Sequence, residues 1–267
     1  MEKINWWHAF WQSFYSRAFY QGVVRQWRGS GCIFLLAITA LVVMPLALNI
    51  RHQFQSFLNE DFGVYLEQVP EITITDGLAK TPESHPYIIN KLDSDEPFVV
   101  IDTTGKYTKI DQTSAPILVT ANELIVRNDY QVRSFQFHNM NDMTIDHVAI
   151  DEFARWMAKY VVPLAYVFMV LFAWSWRITQ AMFYALIAKG LAKRKGFTMK
   201  YKGFMRLSAS ALAPAMVLDM VFSVIGLGLP FAGVLFVVLE VYYLYFAIES
   251  VAKLPHAPDQ EDSSISA

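Results

Sequence analysis

Residues 32–48 read CIFLLAITALVVMPLAL, a run that is almost wholly aliphatic. No charged side chain occurs in the 22 residues between Arg28 and Arg51. At about 1.5 Å per residue, a helix of this length crosses a hydrocarbon core of about 30 Å. The stretch therefore predicts a transmembrane helix over residues 31–50, and it indicates that the chain is a membrane protein.

Three more apolar stretches follow this first one in the chain. The charge-free run between Lys159 and Arg177 predicts a second span over residues 160–176. Two further spans are predicted over residues 207–227 and 230–249. A short linker rich in Gly and Pro joins these last two, so they are expected to form a membrane hairpin.

The distribution of charge gives the expected orientation. Residues 177–206 contain eight Lys or Arg and no Asp or Glu, which by the positive-inside rule predicts a cytoplasmic segment. Residues 1–30 are expected to be cytoplasmic for the same reason. Residues 51–159 carry nine basic and seventeen acidic side chains, which suits an extracytoplasmic domain. Both termini are then cytoplasmic, and residues 250–267 are expected to be a disordered tail.

A count of five crossings competes with this arrangement. Residues 178–190 place apolar side chains at helical spacing, and a fifth span here would put the basic segment outside. We favour an amphipathic helix on the inner leaflet, or a continuation of the second span into the cytoplasm. The neighbouring Lys193, Arg194 and Lys195 are then expected at the membrane surface.

The first residues of the chain show a second amphipathic pattern. One face of a helix over residues 1–30 would carry Trp6, Trp7, Phe10, Trp11 and Phe14. Such a stripe is more often a membrane anchor, or a surface that packs on neighbouring helices, than a ligand cage.

The acidic domain over residues 51–159 has the pattern of short β-strands. Residues 72–75 precede Asp76-Gly77, a dipeptide typical of hairpin turns. Other β-rich runs lie at residues 87–89, 98–101, 117–120, 124–126 and 132–137. Helices are expected over residues 53–69 and from Asp151 onward. The expected fold is therefore a membrane α-helical protein of about four spans with an inserted, mainly-β extracytoplasmic domain of six or seven strands.

Several of these segments resemble a known family. They are the aromatic segment ending in residues 16–20, the strand and turn at 72–77, the run 100–105, the pair 117–120 and 124–128, and residues 204–214. Together they look like a bacterial membrane-protein family of unknown function, some of whose members are labelled maltodextrin utilisation protein. The chain also resembles, more distantly, Yip-type membrane proteins of four or five spans. The resemblance implies an inner-membrane location and an association with sugar uptake, and it implies no catalytic residues.

Two acidic residues fall within the predicted hairpin. Asp219 lies about ten residues before the turn and Glu240 about eleven after it, so both carboxyls are expected at a similar depth, where they could face each other. Intramembrane acids are costly to bury and are candidates for a proton or cation site. A structural role, in which each acid meets a Tyr, Ser or backbone partner, is the favoured interpretation.

Other candidate features are weaker. Pro214 lies among small residues in the third span and suggests either a hinge or, more commonly, close helix packing. Asp102-Thr103-Thr104-Gly105 is best interpreted as a plain turn. His138 and His147 lack the spacing of a zinc site, and familiar hydrolase, nucleotide and dinucleotide motifs are absent, so no metal or cofactor is predicted.

Three classes of function remain open at this point. The leading hypothesis is a non-enzymatic membrane protein whose outer domain binds a ligand or partner, as an accessory, sensor or assembly factor. A small proton-coupled transporter using Asp219 and Glu240 is the second. The third is a membrane enzyme for lipid or envelope glycan, with His138, Asp142 and His147 converging. Expected partners are the bilayer and a protein partner or second copy, and nucleic acid is not expected.

Overall fold

The computed structural model describes residues 10–27, 29–92, 94–128 and 131–254. The chain divides into two compact units. One contains residues 1–49 and 164–267 and is helical where it is described, and the other contains residues 50–163 and carries the strands.

Among the residues that the structure describes, five helices of ten residues or more lie at least partly in the helical unit. They are α1 (Arg17–Gln26), α2 (Cys32–Ser56), α5 (Val162–Arg194), α6 (Tyr201–Val224) and α7 (Ala232–Ala252). The short α3 (Phe62–Leu66) and α4 (His147–Trp156) belong to the other unit. Two π-helical turns, Phe57–Asp61 and Met157–Val161, connect α2 to α3 and α4 to α5.

Four helical stretches among the described residues are long and apolar enough to cross a membrane: Cys32–Leu66, His147–Arg194, Tyr201–Val224 and Ala232–Ala252. The expectation of four long apolar helices is thus confirmed. Each of the first two is longer than its predicted span. Residues 178–190 form the second half of α5, so they continue the second apolar helix, which was one of the two favoured alternatives.

The core of the helical unit lies around the first half of α6. Residues 203–205 and 207–217 are buried, and the helices packed against them are rich in small and aromatic side chains. Helix α1 contributes Phe19 and Tyr20, and α5 contributes Ala181, Ala185 and Ala188 at helical spacing. The Ser16 hydroxyl caps α1 by accepting a hydrogen bond from the Phe19 N–H at 3.2 Å.

The β unit contains two sheets. Their strands are β1 (Ile72–Thr75), β2 (Leu78–Lys80), β3 (Tyr87–Asn90), β4 (Pro97–Asp102), β5 (Ile117–Thr120), β6 (Glu123–Asn128), β7 (Gln131–Gln136) and β8 (Met143–Ile145). The order is β2-β1-β8 in the smaller sheet and β3-β4-β5-β6-β7 in the larger. All pairs are antiparallel except β4 with β5. The described residues therefore form a small mixed sheet domain, as the strand pattern predicted.

Turn chemistry explains the first hairpin. Asp76 and Gly77 have φ values of 54° and 74°, the left-handed pair that a two-residue hairpin turn requires. A Cβ atom at Gly77 would lie 2.6 Å from the Cα of His138, so the close approach of that segment also requires glycine.

Two details of the predicted β unit differ in the structure. Strands β2 and β8, of three residues each, were not predicted individually, because so short a run carries little periodicity. The predicted helix start near Asp151 is wrong: α4 begins at His147, because the Asp146 carboxylate accepts a hydrogen bond from the Ala149 N–H at 2.8 Å and caps the helix four residues earlier.

Candidate functional site

A buried polar cluster surrounds Glu240 in the helical unit. Glu240 is only 4% exposed although it carries a carboxylate. Its Oε1 atom accepts a hydrogen bond from the Arg177 guanidinium at 3.1 Å. Its Oε2 atom accepts from Gln180 Nε2 and from the Tyr184 hydroxyl, each at 2.7 Å. We call these four residues the Glu240 cluster.

The donors of the Glu240 cluster share one face of α5. Their spacing of three and then four residues places Arg177, Gln180 and Tyr184 in a row along that face. Arg177 also donates to the Gln180 side-chain oxygen at 2.7 Å, so the donors are linked to one another. A buried carboxylate with a cationic partner and two further donors is well compensated. The arrangement can hold α7 against α5 in one register.

Asp219 takes a different position from Glu240. The three hydrogen bonds to Glu240 all come from α5, and none comes from Asp219, which is exposed on α6. The sequence allowed the two carboxyls to face each other, but in the structure these hydrogen bonds of Glu240 go to α5 and not to Asp219. Their separation along the chain indicated a similar depth, but it did not indicate which helix face each one occupies.

Pro214 lies inside α6, where it is buried and follows a row of buried small residues. Proline has no N–H to offer the carbonyl of residue 210 in the turn before it. The Ser210 hydroxyl donates to the carbonyls of Arg206 and Leu207, both at 2.9 Å, within the same helix. The surroundings of Pro214 are those of close packing.

Part of the N-terminal aromatic stripe packs on the helices. Trp6 and Trp7 lie outside the described residues. Phe10 packs against the helical core, and the Phe14 ring contacts the Tyr243 ring edge to face with centroids 6.3 Å apart. Trp11 is 62% exposed and is available for a membrane surface.

The basic residues expected at the membrane surface lie around the end of α5, where Lys193, Arg194 and Lys195 are all exposed. The Lys195 ammonium donates to the Tyr245 hydroxyl at 3.2 Å and lies 5.2 Å from the centre of that ring. The contact brings a basic side chain and an aromatic ring to one surface.

A second candidate site lies at the end of the larger sheet. Strand β7 is its terminal strand, and all six residues of β7 are exposed. The Arg127 N–H donates to the Pro116 carbonyl beside β5, so it points away from β7. The Phe137 N–H donates to the Asn122 carbonyl, so it points toward β6. Because N–H direction alternates along a strand, Val132, Ser134 and Gln136 direct their backbone groups away from β6. No strand within the described part of the chain pairs with that edge.

A cavity of about 500 Å³ opens beside this edge. This cavity, which we call the β7 groove, is lined by Val126, Asn128, Gln131, Arg133 and Phe135. The Phe135 side chain is 52% exposed, so the groove presents an aromatic surface next to the positive charge of Arg133. These side chains alternate along β6 and β7 and therefore share one face of the sheet.

The three residues proposed for an enzyme do not form a common site by hydrogen bonding. The Asp142 carboxylate accepts from the Asp76 N–H at 3.0 Å and thus supports the first hairpin turn. His138 lies in the 3-10 turn beside Gly77, and His147 begins α4. Across the residues that the structure describes, no group of three His, Cys, Asp or Glu is arranged to hold a metal ion.

Asp102 is the buried acid of the β unit and closes a turn. Its Oδ1 atom accepts from the Thr104 N–H at 2.8 Å and the Thr104 hydroxyl at 2.6 Å, and its Oδ2 atom accepts from the Tyr107 N–H. Burial opposes ionisation, but these hydrogen bonds and one from the Lys106 backbone outweigh it and hold the pKa of Asp102 below its ordinary value. The geometry fits the predicted plain turn.

Sequence reasoning missed the basic partner of Glu240. The sequence indicated Arg177 only as the residue that ends the second charge-free run. A signal was present, since Arg177, Gln180 and Tyr184 form a polar row on a helix whose other residues are largely apolar. That row indicates a buried polar partner on another helix, although it does not identify which one.

Comparison with known proteins gives one family. The model of the family described as "Protein of unknown function (DUF1189)" matches residues 7–248. Neither a curated protein nor a solved structure matches the chain. The expectation of an uncharacterised family is confirmed, while the maltodextrin label and the Yip similarity stay predictions. Because the match covers most of the sequence, the protein belongs to the DUF1189 family.

Proposed function

We propose that this protein is a non-enzymatic, multi-pass protein of the bacterial inner membrane that binds an extended partner segment through its extracytoplasmic β unit. The role would be that of an accessory, sensor or assembly factor. One observation carries the proposal: strand β7 ends the larger sheet with an uncovered edge and has a groove beside it.

The edge of β7 suits recognition by strand addition. A partner strand that pairs with an exposed edge gains backbone hydrogen bonds, and alternate side chains of that strand enter neighbouring pockets. Natural proteins usually protect such edges, since an exposed edge also promotes aggregation. Val132 is 55% exposed on this strand, so the edge offers apolar contact as well as backbone groups.

The groove indicates the chemistry of the partner. Phe135 provides an aromatic surface for an apolar side chain, and Arg133 provides a donor for a carboxylate. We therefore expect a segment with an acidic residue near an apolar one. Because resembling proteins carry the maltodextrin label, proteins of sugar uptake belong among the partners to be tested.

The other two hypotheses receive less support. Arg177 already supplies a charged partner for Glu240, and Asp219 is exposed on another helix. Asp142 is engaged with the turn at Asp76, which leaves little support for a catalytic group with His138.

A matched pair of variants tests the proposal. Ser134→Pro removes a backbone N–H directed away from β6, whereas Ser134→Ala retains it. A photo-crosslinking residue at position 132 in the full-length protein should form an adduct with one partner in cells. The adduct should persist with Ser134→Ala and disappear with Ser134→Pro. An adduct of equal yield in both variants contradicts recognition through the β7 edge.

A further inference from the structure

We propose that the hairpin of α6 and α7 is re-entrant, with its apolar tip, residues 225–231, embedded among the lipid acyl chains of the cytoplasmic leaflet. The two helices would then enter the membrane and return without crossing it. This inference revises the expected third and fourth spans and does not depend on the function proposed for the β unit. The termini remain on the same side in either arrangement.

Contacts with α2 give the level at which the bilayer begins. The uncharged stretch that ends at Ile50 forms α2 from Cys32 onward, so Cys32 marks its entry into the hydrocarbon. The Trp174 indole N–H donates to the Cys32 carbonyl at 3.0 Å, which places this part of α5 near that level. Arg177, one helical turn farther along α5, lies 3.1 Å from Glu240. Glu240 is therefore near the cytoplasmic boundary.

The distance from Glu240 to the tip is too short for a crossing. Glu240 is nine positions after Phe231 in the chain, which corresponds to a helix of about 14 Å. The hydrocarbon core measures about 30 Å, so the tip reaches only about half of its depth.

A second contact gives an independent upper limit along α6. A Cβ atom at Gly31, beside Cys32, would lie 3.1 Å from the Cβ of Ala209, so α6 meets the start of α2 at this point. Ile225 is 16 positions after Ala209, which corresponds to at most about 24 Å of helix, and a tilted helix rises less than its length. Measured along α7 or along α6, the tip lies inside the hydrocarbon core of the bilayer.

Aromatic side chains support the same boundary. Trp176 is 67% exposed beside Arg177, and Tyr242 and Tyr245 are 59% and 41% exposed just after Glu240. Exposed Trp and Tyr side chains concentrate at membrane interfaces. The rings on α5 and α7 therefore mark the level of the Glu240 cluster as interfacial.

The composition of the tip suits hydrocarbon and does not suit water. Residues 225–231 read IGLGLPF and contain no polar side chain. Ile225 is 63% exposed and Phe231 is 85% exposed. Loops that reach water are normally rich in Ser, Thr, Asn and Asp, none of which occurs here. The base of the hairpin differs, since residues 207–217 of α6 are buried by protein.

The backbone of the tip is also adapted to a solvent without hydrogen bonds. Four of the six N–H groups in the tip, those of residues 225–228, donate to carbonyls within the turn or at the end of α6. Pro230 has no N–H to satisfy. Unpaired backbone groups are costly in hydrocarbon, so this pairing is what an embedded turn needs. Asp219 lies six positions before Ile225, about 9 Å along α6 from the tip.

Cysteine labelling of the full-length protein in proteoliposomes tests the proposal. The background carries Cys32→Ser, and Leu227→Cys places the single thiol at the tip. Thr198→Cys, in the turn between α5 and α6, and Lys106→Cys, in the β unit, serve as controls for the two aqueous sides. A membrane-impermeant maleimide should fail to label Leu227→Cys from either side and should label it after detergent is added. Ile225→Cys provides a second tip position if the first variant does not accumulate.

A spin label at the same thiol identifies what covers the tip. We expect frequent collisions with oxygen and few with a water-soluble nickel chelate, with a depth near the bilayer centre. Labelling of Leu227→Cys from the side on which Lys106→Cys reacts would mean that the hairpin crosses the membrane. Labelling of Leu227→Cys from the side on which Thr198→Cys reacts would mean that the tip lies in the cytoplasm. Shielding from oxygen would mean that protein, such as a second copy, covers it. Each of these three results overturns the proposal.

Discussion

Glu240 carries a negative charge into the interior of the helical unit, and three donors from α5 compensate it. The cost of removing a charge from water is recovered only when its partners are all in place. The Arg177 side chain is 22% exposed, compared with 5% for Glu240, so the cation of the pair is partly accessible to solvent. The cluster therefore fixes the register of α5 and α7 more firmly than apolar packing alone would.

A double-mutant cycle measures this contribution. Glu240→Gln should destabilise the protein by about 2–4 kcal/mol, because it leaves the Arg177 charge without its counter-ion. Adding Arg177→Gln should restore part of the loss, with a coupling of about 1–3 kcal/mol. Chemical unfolding in detergent micelles gives these values. Asp219→Asn is the control and should change stability by less than about 0.5 kcal/mol, since Asp219 is exposed. Strict additivity of the two changes would contradict a direct pair.

Asp102 gives a prediction that depends on pH. Its folded pKa lies below the ordinary value of 3.8, so the charged form stabilises the fold. This contribution is fully present above that ordinary value and is lost as the pH falls through the folded pKa. Asp102→Asn should therefore cost about 1–3 kcal/mol at neutral pH and less in acid. Hydrogen exchange of the β4 and β5 amides in the full-length protein, compared between neutral and acid pH, measures it. A pH-independent loss would show that the charge is not the cause.

At the scale of elements, the strands and turns of the β unit follow from local chemistry. The hairpin of β1 and β2 depends on two positive φ angles, and that of β5 and β6 depends on the side chain of Thr120, which accepts hydrogen bonds from Asn122 and Glu123. Alternation predicts a strand such as β1, because one of its faces is buried, whereas both faces of β7 are exposed. The extent of a sheet is not local, and the uncovered edge of β7 becomes visible only when all five strands are ordered.

Two glycine substitutions separate backbone strain from steric overlap. Gly77→Ala should destabilise the first hairpin by about 2–4 kcal/mol, because φ is +74° and the new Cβ would overlap His138 at 2.6 Å. Gly105→Ala should cost about 1–2 kcal/mol, because φ is +86° but nothing lies within 4 Å. Hydrogen exchange of residues 72–80, and of residues 97–107 for the control, reports both. Equal losses would contradict the close approach of the His138 segment.

At the scale of the whole molecule, the long apolar helices and the acidic sheet domain form separate units in one chain. Charge is divided in the same way, since the basic segment 177–206 belongs to the helical unit and the acidic segment 51–159 belongs to the other. The positive-inside rule turns that division into an expected sidedness. The chain was therefore predictable as a membrane protein with an inserted domain.

Sidedness is tested by labelling in intact spheroplasts. Lys106→Cys should react with a membrane-impermeant maleimide, because the acidic unit is expected outside. Thr198→Cys should react only after the membrane is opened, because the basic segment is expected in the cytoplasm. Both variants need the Cys32→Ser background, since Cys32 is the single native cysteine. The reverse pattern would invert the proposed orientation and place the β7 groove in the cytoplasm.

The sequence by itself determined the class of the protein, the approximate positions of four apolar helices and most strands, and the two regions of opposite charge. These properties depend on hydrophobic runs, alternation and turn residues, which act over a few positions. Only the tertiary structure decided that Glu240 pairs with Arg177, 63 residues away, and not with Asp219. It also decided that β7 has an uncovered edge and that Ala209 of α6 meets Gly31 at the start of α2. Contacts between distant segments depend on which helix faces and strand edges meet, and that choice is made by packing the whole chain.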